Sequence, residues 1–492
     1  MTDPPGIASA PSDARASIAV DLGAESCRVS LLRWYHGQPS ITLVHRFANA
    51  PRDVAGTLRW DLAMIESGLD EGLRKCAALA TEGVRSIAVD GWAVDYVRLD
   101  AHSQPLADPF CYRDERTLHS EQALHQKLSS ARLRDLTGVQ QLRINTLYQL
   151  YADTLAGLPP APWLNLPEYI LFRWGAPPVA EYTNATHTHL IDLSTRQWSS
   201  EIFHSAGLAL ASAPKLVPPG TLLGKLRGPL AALPAFSDTL LIAPACHDTA
   251  SAIAGIPASG NDWAYISSGT WSLVGTLLDH PQNNAAAAAE NFTNLGAAGG
   301  QICFHKNVNG MWLLRQCMDA WASHGHPWTI PDLIAAAEKI PASQALLNVD
   351  DPDLLLAGNM PQRINSQLLR HNLPPLDTRP EAAPILASLI FHSLAAQYAN
   401  VLARVELHSG KNLKRLFIVG GASQNDLLNR LTQQATGLEL HRGSPESSTV
   451  GNFAVQLAAL ESPTAAATGP SAHDIALWAR LFVAALSHPP TR

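Results

Sequence analysis

The chain has 492 residues, which is too long for one compact core and therefore predicts two domains. Its 46% apolar and 16% charged residues are those of an ordinary globular protein, and its formal net charge of -7 argues against nucleic acid as the main partner, because neutralising phosphates requires a basic surface. The six cysteines are scattered without a CxxC pair, so reduced thiols in a cytoplasmic protein are a better interpretation than a zinc site or disulfides.

The start of the chain and its apolar runs do not indicate membrane insertion. The first residues lack the apolar core of a signal peptide, and we expect residues 1–16 to be a short disordered lead. The most apolar run, residues 382–403, carries His392, Ser393 and Gln397, which favours a buried helix over a membrane span. The sequence thus predicts a cytoplasmic protein without a membrane partner.

The first half of the chain alternates strands and helices. Residues 17–32 contain two apolar runs around a polar turn, which predicts a hairpin. Residues 61–79 predict a helix, because apolar residues recur at helical spacing along one face. Further strands are expected at residues 86–89 and 94–99, on either side of a turn that contains Trp92. This alternation is typical of an α/β layer architecture.

The second half of the chain also predicts strands, a hairpin and helices. Residues 240–245 predict a buried strand that leads through residues 246–249 into a helix. Residues 263–278 predict a second hairpin around a small polar turn at residues 268–270. The remaining expected elements are a strand at residues 416–419 and helices at residues 424–436 and 446–460, the last capped by Ser447, Ser448 or Thr449.

The residues from Asp21 to Arg28 form the first group that could carry chemistry. An Asp at a strand end can hold Mg²⁺, usually through water, and the following turn can offer backbone N–H groups to phosphate oxygens, with Arg28 adding positive charge. A plain hairpin turn with a surface Asp explains the same residues, and the pattern alone leaves both interpretations open.

His247, Asp248 and Thr249 form the second group, at the predicted junction of a buried strand and a helix. Asp248 is a candidate general base that would take the proton from an attacking hydroxyl. An Asp at this place is also suited to cap a helix, and in isolation the pattern favours the cap.

Two turns of small residues could contact a nucleotide. Residues 267–270 combine hydroxyl side chains with Gly269, which would let a phosphate approach the backbone. Residues 420–423 begin with two glycines, against which a flat adenosine could lie. Each is also an ordinary turn sequence. The chain has no GxxxxGK[ST], GxGxxG or HExxH motif, which argues against a P-loop enzyme and a Rossmann dinucleotide site.

The order in which these four groups follow one another along the chain is a more specific sign of a protein family than any one group alone. Together they resemble the FGGY family of carbohydrate kinases, in the actin–hexokinase superfamily, and within that family most closely the rhamnulokinases. The stretches that carry the resemblance are VDLGAES, VDGWAVDYV, YRDERT, RINTLYQL, EYTNATHTHL, HDTASA, YISSGTWSL, KNVNGMWLL and IVGGASQNDLLN.

The resemblance implies an α/β fold of two ribonuclease-H-like domains with an interdomain cleft. We expect an N-terminal sugar-binding domain at residues 17–245 and a C-terminal nucleotide-binding domain at residues 246–492. The resemblance also implies ATP and Mg²⁺ as cofactors and a small sugar as partner. The implied reaction transfers the γ-phosphoryl group of ATP to a ketose, best matched by L-rhamnulose, giving L-rhamnulose 1-phosphate in L-rhamnose catabolism.

Carried over position by position, the resemblance makes Asp248 the catalytic base and Asp21 a neighbour of Mg²⁺. The residues that it implies as sugar contacts are Trp92, Ala93, His247, Asp248 and Thr249. Those that it implies as ATP contacts are Ala24, Glu25, Ser26, Cys27, Arg28, Thr270, Asn307, Arg315 and Gly421.

The chain departs from the subfamily pattern at several of these positions. Glu25 would add negative charge near phosphates, and Cys27 stands where glycine's backbone freedom is expected. Ala93 puts a methyl group on the expected sugar wall, and Arg315 replaces a glutamine. The alternatives are the same reaction on another ketose, such as L-fuculose or a xylulose, and a sugar-binding regulator that has lost catalysis. A dehydrogenase is disfavoured by the missing glycine fingerprint.

Overall fold

The computed structural model describes residues 8–343, 345–462 and 468–487. The chain divides into two compact units. The first draws on the residues up to Ser259, on Leu278–Cys303 and on the residues from Ser447 onward, and the second consists of Gly260–Leu277 and Phe304–Glu446.

In chain order, the strands are β1 (Ala16–Leu22), β2 (Ser26–Tyr35), β3 (Gln38–Ala48), β4 (Pro51–Val54), β5 (Thr57–Trp60), β6 (Val84–Gly91), β7 (Tyr96–Arg98), β8 (Trp163–Asn165), β9 (Val179–Glu181), β10 (Ile191–Asp192), β11 (Gln197–Trp198), β12 (Lys215–Val217), β13 (Thr221–Lys225), β14 (Leu240–Ala243), β15 (Trp263–Ser268), β16 (Trp271–Leu278), β17 (Thr293–Gly296), β18 (Ile302–Asn309), β19 (Arg415–Val419) and β20 (Glu439–Arg442).

The α-helices, also in chain order, are α1 (Leu62–Leu79), α2 (Thr117–His125), α3 (Ser130–Thr137), α4 (Thr146–Leu155), α5 (Leu166–Arg173), α6 (Tyr182–Ala185), α7 (Ser200–Ser205), α8 (Asp248–Ala254), α9 (Ala285–Ala289), α10 (Trp312–Ser323), α11 (Ile330–Ala337), α12 (Met360–Arg370), α13 (Ala383–Ser409), α14 (Asp426–Thr436), α15 (Ser447–Glu461) and α16 (Ala472–Ser487).

The main sheet of the first unit has the strand order β13-β14-β6-β1-β2-β3. β1 runs antiparallel to β2 and parallel to β6, and β6 runs parallel to β14. In this register Asp21 lies opposite Arg28 on one side and Asp90 on the other. Because parallel strands end at one edge of a sheet, the residues that follow β1, β6 and β14 gather there.

Helices cover both faces of this sheet. β1 and β6 are buried throughout, as expected for central parallel strands. On one side, α1 packs against β2 and β3 through its apolar stripe, and the Asp61 carboxylate caps it by accepting the Met64 N–H at 3.0 Å. On the other side, α15 packs against β1 and β6 and crosses α8. Gly451 permits that crossing, since a Cβ there would collide with the carbonyl oxygen of Ser251.

The second unit repeats the strand order of the first. Its sheet contains β18, β16, β15, β19 and β20 in that order, with β15 antiparallel to β16 and parallel to β19, which is parallel to β20. The corresponding run in the first unit is β3, β2, β1, β6 and β14. The predicted α/β fold with two related domains is thereby confirmed.

The helix α13 confirms that the apolar run at residues 382–403 is a core helix. Among the described residues it is the one helix, counted from Pro380, that is long and apolar enough to cross a membrane, but 67% of its apolar window is buried inside the protein. It packs against α11 and α14 of the same unit.

The structure differs from the sequence-based expectations in three places. The expected strand at residues 94–99 is shorter, because Val94 has a left-handed backbone (φ 74°) and pairing begins only at β7. The compact units do not follow the expected boundary after residue 245, because α8 and α15 pack against the first sheet. Residues 1–7 of the expected disordered lead lie outside the described residues, and Ala16 already belongs to β1.

Candidate functional site

Two carboxylates lie side by side at the ends of β1 and β6. Oδ2 of Asp21 accepts hydrogen bonds from the Arg28 guanidinium at 2.9 Å and from the Ser448 hydroxyl at 2.8 Å. Oδ2 of Asp90 accepts one from the Asn452 amide at 2.5 Å. Among the described residues, the buried Oδ1 of Asp90 has no hydrogen-bond partner.

Asp248 stands beyond the end of β14, as the first residue of α8. The residue at the cap position is His247, which makes no side-chain cap hydrogen bond, so Asp248 does not cap this helix. Its Oδ1 instead accepts the Thr249 hydroxyl at 3.2 Å and lies 3.3 Å from Nε2 of His247. With 36% of its side chain exposed, Asp248 is the accessible carboxylate of this edge, whereas Asp90 is fully buried.

Burial governs the protonation of this edge. Desolvation raises the pKa of Asp21, and it raises that of Asp90 well above its usual value, with the neighbouring Asp21 charge adding to it. Desolvation also raises the pKa of Asp248 to about 6, which suits a base that works near neutral pH. Burial lowers the pKa of His247 to about 3, so its contact with Asp248 is that of a neutral imidazole.

The first expected ATP contacts, Ala24 to Arg28, lie in the turn between β1 and β2 and in the first three residues of β2. The Glu25 side chain is exposed, so its charge stands in solvent. Cys27 is buried in the core within β2, where its conformation is extended and glycine's freedom is not needed; burial raises the pKa of its thiol to about 12. The Ser26 hydroxyl accepts from Arg46 at 3.1 Å.

The expected sugar wall, Trp92 and Ala93, follows β6 and is largely buried. The Trp92 indole donates to the Asp95 carboxylate at 3.0 Å and packs on Trp60, with ring centroids 4.6 Å apart. Between Ala93 and Asp95, Val94 holds a conformation that is strained for a β-branched residue. Such a conformation persists only where surrounding contacts hold the chain in place.

Three of the expected ATP contacts of the second unit lie on neighbouring segments. Thr270 is in the exposed turn between β15 and β16, and its carbonyl accepts the N–H of Trp312, where α10 begins. Arg315 is in the first turn of α10, with its exposed side chain 3.2 Å from Asp319. Gly421 follows β19 with open space beside it, while Gly420, at φ 81°, approaches the Ser268 carbonyl too closely for a side chain.

The fourth expected contact, Asn307, lies on β18 of the same sheet and is half-buried. β18 pairs with β16, the strand that follows the Thr270 turn. The structure therefore groups the expected residues into two sets, one in each unit. Most of them stand at or near strand ends, and Arg315 stands in the first turn of α10.

Sequence reasoning missed several residues of this site. Asp90 could have been found, because it ends a buried strand as Asp21 does. The sequence gives no sign that Ser448 and Asn452 bind these carboxylates, because α15 is separated by more than 350 residues of sequence from the strands that it contacts. Among the described residues, no cluster of three or more His, Cys, Asp or Glu side chains is suited to a metal ion.

Comparison with known proteins identifies two family domains. The model of the N-terminal domain of the FGGY family of carbohydrate kinases matches residues 16–255, and that of its C-terminal domain matches residues 264–460. Together they cover most of the chain.

Relatives and solved structures agree with these matches. A rhamnulokinase of Enterococcus faecalis is 37% identical over 454 residues, covering 90% of this chain and 89% of the relative. A rhamnulokinase of Yersinia pestis is 36% identical over 453 residues, covering 90% of each. The ligand-bound xylulose kinase of Lactobacillus acidophilus superposes with a TM-score of 0.75 at 15% identity, covering 96% of this chain and 97% of that one. The glycerol kinase of Plasmodium falciparum with ADP gives 0.68 at 13% identity, covering 91% and 89%.

Proposed function

Because this chain belongs to the FGGY family of carbohydrate kinases, we propose that it transfers the γ-phosphoryl group of ATP to the C1 hydroxyl of L-rhamnulose, giving L-rhamnulose 1-phosphate and ADP. The activity of a sugar kinase follows from the family. The choice of L-rhamnulose is supported by relatives that carry the name rhamnulokinase at 36–37% identity over nine-tenths of the chain.

The observation that carries the proposal is the placement of Asp248. Its carboxylate is half-exposed at the edge where β1, β6 and β14 end, and its pKa of about 6 leaves it ionised at neutral pH. In an in-line transfer it would orient the sugar hydroxyl and accept its proton as the phosphoryl group arrives. The neutral His247 and the Thr249 hydroxyl beside it would bind neighbouring sugar oxygens, and Trp92 and Ala93 would contribute a wall of the sugar site.

The remaining expected residues would serve ATP. Ala24 and Glu25, in the turn before β2, would offer backbone N–H groups to phosphate oxygens, and Ser26, Cys27 and Arg28 at the start of β2 would lie beside them. Asp21, together with Asp90 and its unpartnered oxygen, fits Mg²⁺, which binds one or two carboxylates and keeps several waters. When bound, Mg²⁺ would neutralise phosphate charge. The residues of the second unit proposed to contact the nucleotide are Thr270, Asn307, Arg315 and Gly421. The reaction draws on cellular ATP, and we propose the cytoplasm as its location.

The test is ADP release by the purified protein with MgATP and a panel of ketoses. We expect release to be fastest with L-rhamnulose and to fall about 1,000-fold in kcat in Asp248→Asn, which keeps the shape but removes the base. Asp238→Asn is the matched control, because its carboxylate is exposed and pairs with Lys225 on the surface; it leaves kcat unchanged.

Each other outcome has a definite meaning. Faster release with L-fuculose or a xylulose keeps the mechanism and replaces the substrate. Measurable ATP binding without turnover on any ketose contradicts the proposal and supports a sugar-binding regulator. Full activity of Asp248→Asn would show that another group acts as the base.

A further inference from the structure

Two buried carboxyl groups lie beside the proposed active site and have no role in the proposed reaction. Glu181 is the last residue of β9, and Glu168 is in α5. Both side chains are almost completely buried. Burying a carboxyl group is costly unless hydrogen bonds compensate it, so such a pair calls for an explanation.

The hydrogen bonds of Glu181 lead directly to the segment that carries Asp248. Its Oε2 accepts the backbone N–H of Cys246 at 2.8 Å, and its Oε1 accepts that of Thr183 at 2.8 Å. The Thr183 hydroxyl donates to Oε2 of Glu181 and accepts the backbone N–H of His247 at 3.4 Å. Glu181 thus holds two successive peptide groups immediately before Asp248, one directly and one through Thr183.

The same segment is held from its other side by the sheet. The Cys246 carbonyl accepts the backbone N–H of Gly91, the last residue of β6, at 2.9 Å. The peptide between β14 and α8 is therefore fixed by β6 on one side and by Glu181 on the other.

We propose that Glu181 is a positioning residue for the base: its carboxyl group fixes the backbone at Cys246 and His247 and thereby sets the place of Asp248. The inference rests on the proposed function, in which Asp248 accepts the proton of the sugar hydroxyl. A displacement of the base by about 1 Å can cost two orders of magnitude in rate, so a group that holds it affects kcat without touching substrate.

Glu181→Gln and Glu168→Gln form a matched pair of variants. Both oxygens of Glu181 accept backbone N–H groups, so a Gln side chain must turn its own NH₂ group toward one of them and lose that bond. Oε1 of Glu168 accepts the Glu181 N–H, and its Oε2 accepts the Asn184 amide. A Gln at 168 keeps both bonds if the Asn184 amide turns over, since Oδ1 of Asn184 has no hydrogen-bond partner among the described residues.

We expect Glu181→Gln to lower kcat at least tenfold while the KM for MgATP stays within twofold. Glu168→Gln, an identical chemical change one contact farther away, keeps kcat within about twofold. Thr183→Val removes the hydroxyl that links Glu181 to His247 at constant volume; it lowers kcat in the same direction and serves if Glu181→Gln does not fold. Equal losses in Glu181→Gln and Glu168→Gln, or no loss in Glu181→Gln and Thr183→Val, would overturn the proposal.

Amide hydrogen exchange separates this inference from the proposed function. We expect faster exchange of the peptide covering residues 245–250 in Glu181→Gln, and not in Glu168→Gln, whatever the substrate. Unchanged exchange there overturns the inference. The absence of sugar-dependent ADP release by the unaltered protein would instead contradict the proposed function and leave the exchange result to decide whether Glu181 holds this segment.

Discussion

The two units have the same strand order but carry different groups at their strand ends. In the first unit, Asp21 and Asp90 close β1 and β6, and Asp248 follows β14. In the second unit, the strands β15 and β19 lead into turns of small residues, with Ser268 at the end of β15 and Gly420 after β19. The same strand order thus places carboxylates at the strand ends of the first unit, and a hydroxyl group and a glycine at those of the second.

The two sets of strand-end groups differ in how burial affects them. In the first unit, Asp21 and Asp90 are buried. Removal from water disfavours their ionised forms, which raises their pKa values and lowers the stability of the fold. At the end of β15 in the second unit, uncharged side chains bond to one another. The Ser272 hydroxyl lies 2.9 Å from that of Ser268 and 2.7 Å from that of Tyr398. We therefore expect substitutions in the first unit to trade stability against activity, and those in the second to act on nucleotide contact and on packing.

The largest effect is expected for Asp90→Asn. Removing one of the two carboxylates proposed to hold Mg²⁺ lowers kcat about 100-fold. The same substitution removes a carboxyl group whose ionised form is disfavoured by burial and by the Asp21 charge, so the free energy of unfolding stays equal or rises by about 1 kcal/mol. Steady-state ADP release and urea denaturation measure the two effects. Retained activity, or a clear loss of stability, would contradict the claim that Asp90 supports activity at a cost in stability.

In the second unit, adjacent glycines give a matched pair. An alanine at 421 meets no atom within 4 Å, so Gly421→Ala keeps the fold and raises the KM for ATP about tenfold if adenosine lies against this residue. An alanine at 420 would be strained at φ 81° and 2.7 Å from the Ser268 carbonyl, which destabilises the protein by about 2 kcal/mol. Thermal unfolding and ATP kinetics separate the two. An unchanged KM in Gly421→Ala would remove this residue from the proposed nucleotide contacts.

Local patterns predicted the elements that carry the site. The hairpin at residues 17–32, the helix α1 and the strand before Asp248 were all found, because apolar runs, helical spacing and turn residues mark them within a few positions. Strand β3 was missed, since only one of its eleven residues is fully buried and polar residues interrupt its apolar ones. The left-handed Val94 was also missed, because its conformation is imposed by the surrounding fold and no local signal encodes it.

The interactions that tune the site were beyond local patterns. The Asn452 amide reaches Asp90 across 362 residues of sequence, and the Ser448 hydroxyl reaches Asp21 across 427. Each lies on α15, whose small and apolar residues predict a helix but not the strand ends on which it packs. The network of Glu181 has the same origin, since a Glu at the end of a short strand gives no sign that it binds the backbone of Cys246.

The smallest expected effect concerns a buried histidine of the first unit. Burial lowers the pKa of His189 to about 3, so the folded protein leaves it neutral while the unfolded chain protonates it below about pH 6.5. The unfolded state then binds more protons, and stability falls as the pH drops from about 6.5 toward 3. At pH 5.5 this single group accounts for a loss of about 1 kcal/mol relative to pH 7.5. His189→Asn tolerates the left-handed backbone at this position (φ 61°) and does not titrate. Urea denaturation at the two pH values should show a smaller difference for this variant than for the unaltered protein. An equal difference would mean that the acid sensitivity arises from other groups, and that the cost of burying ionisable groups in the first unit does not extend to His189.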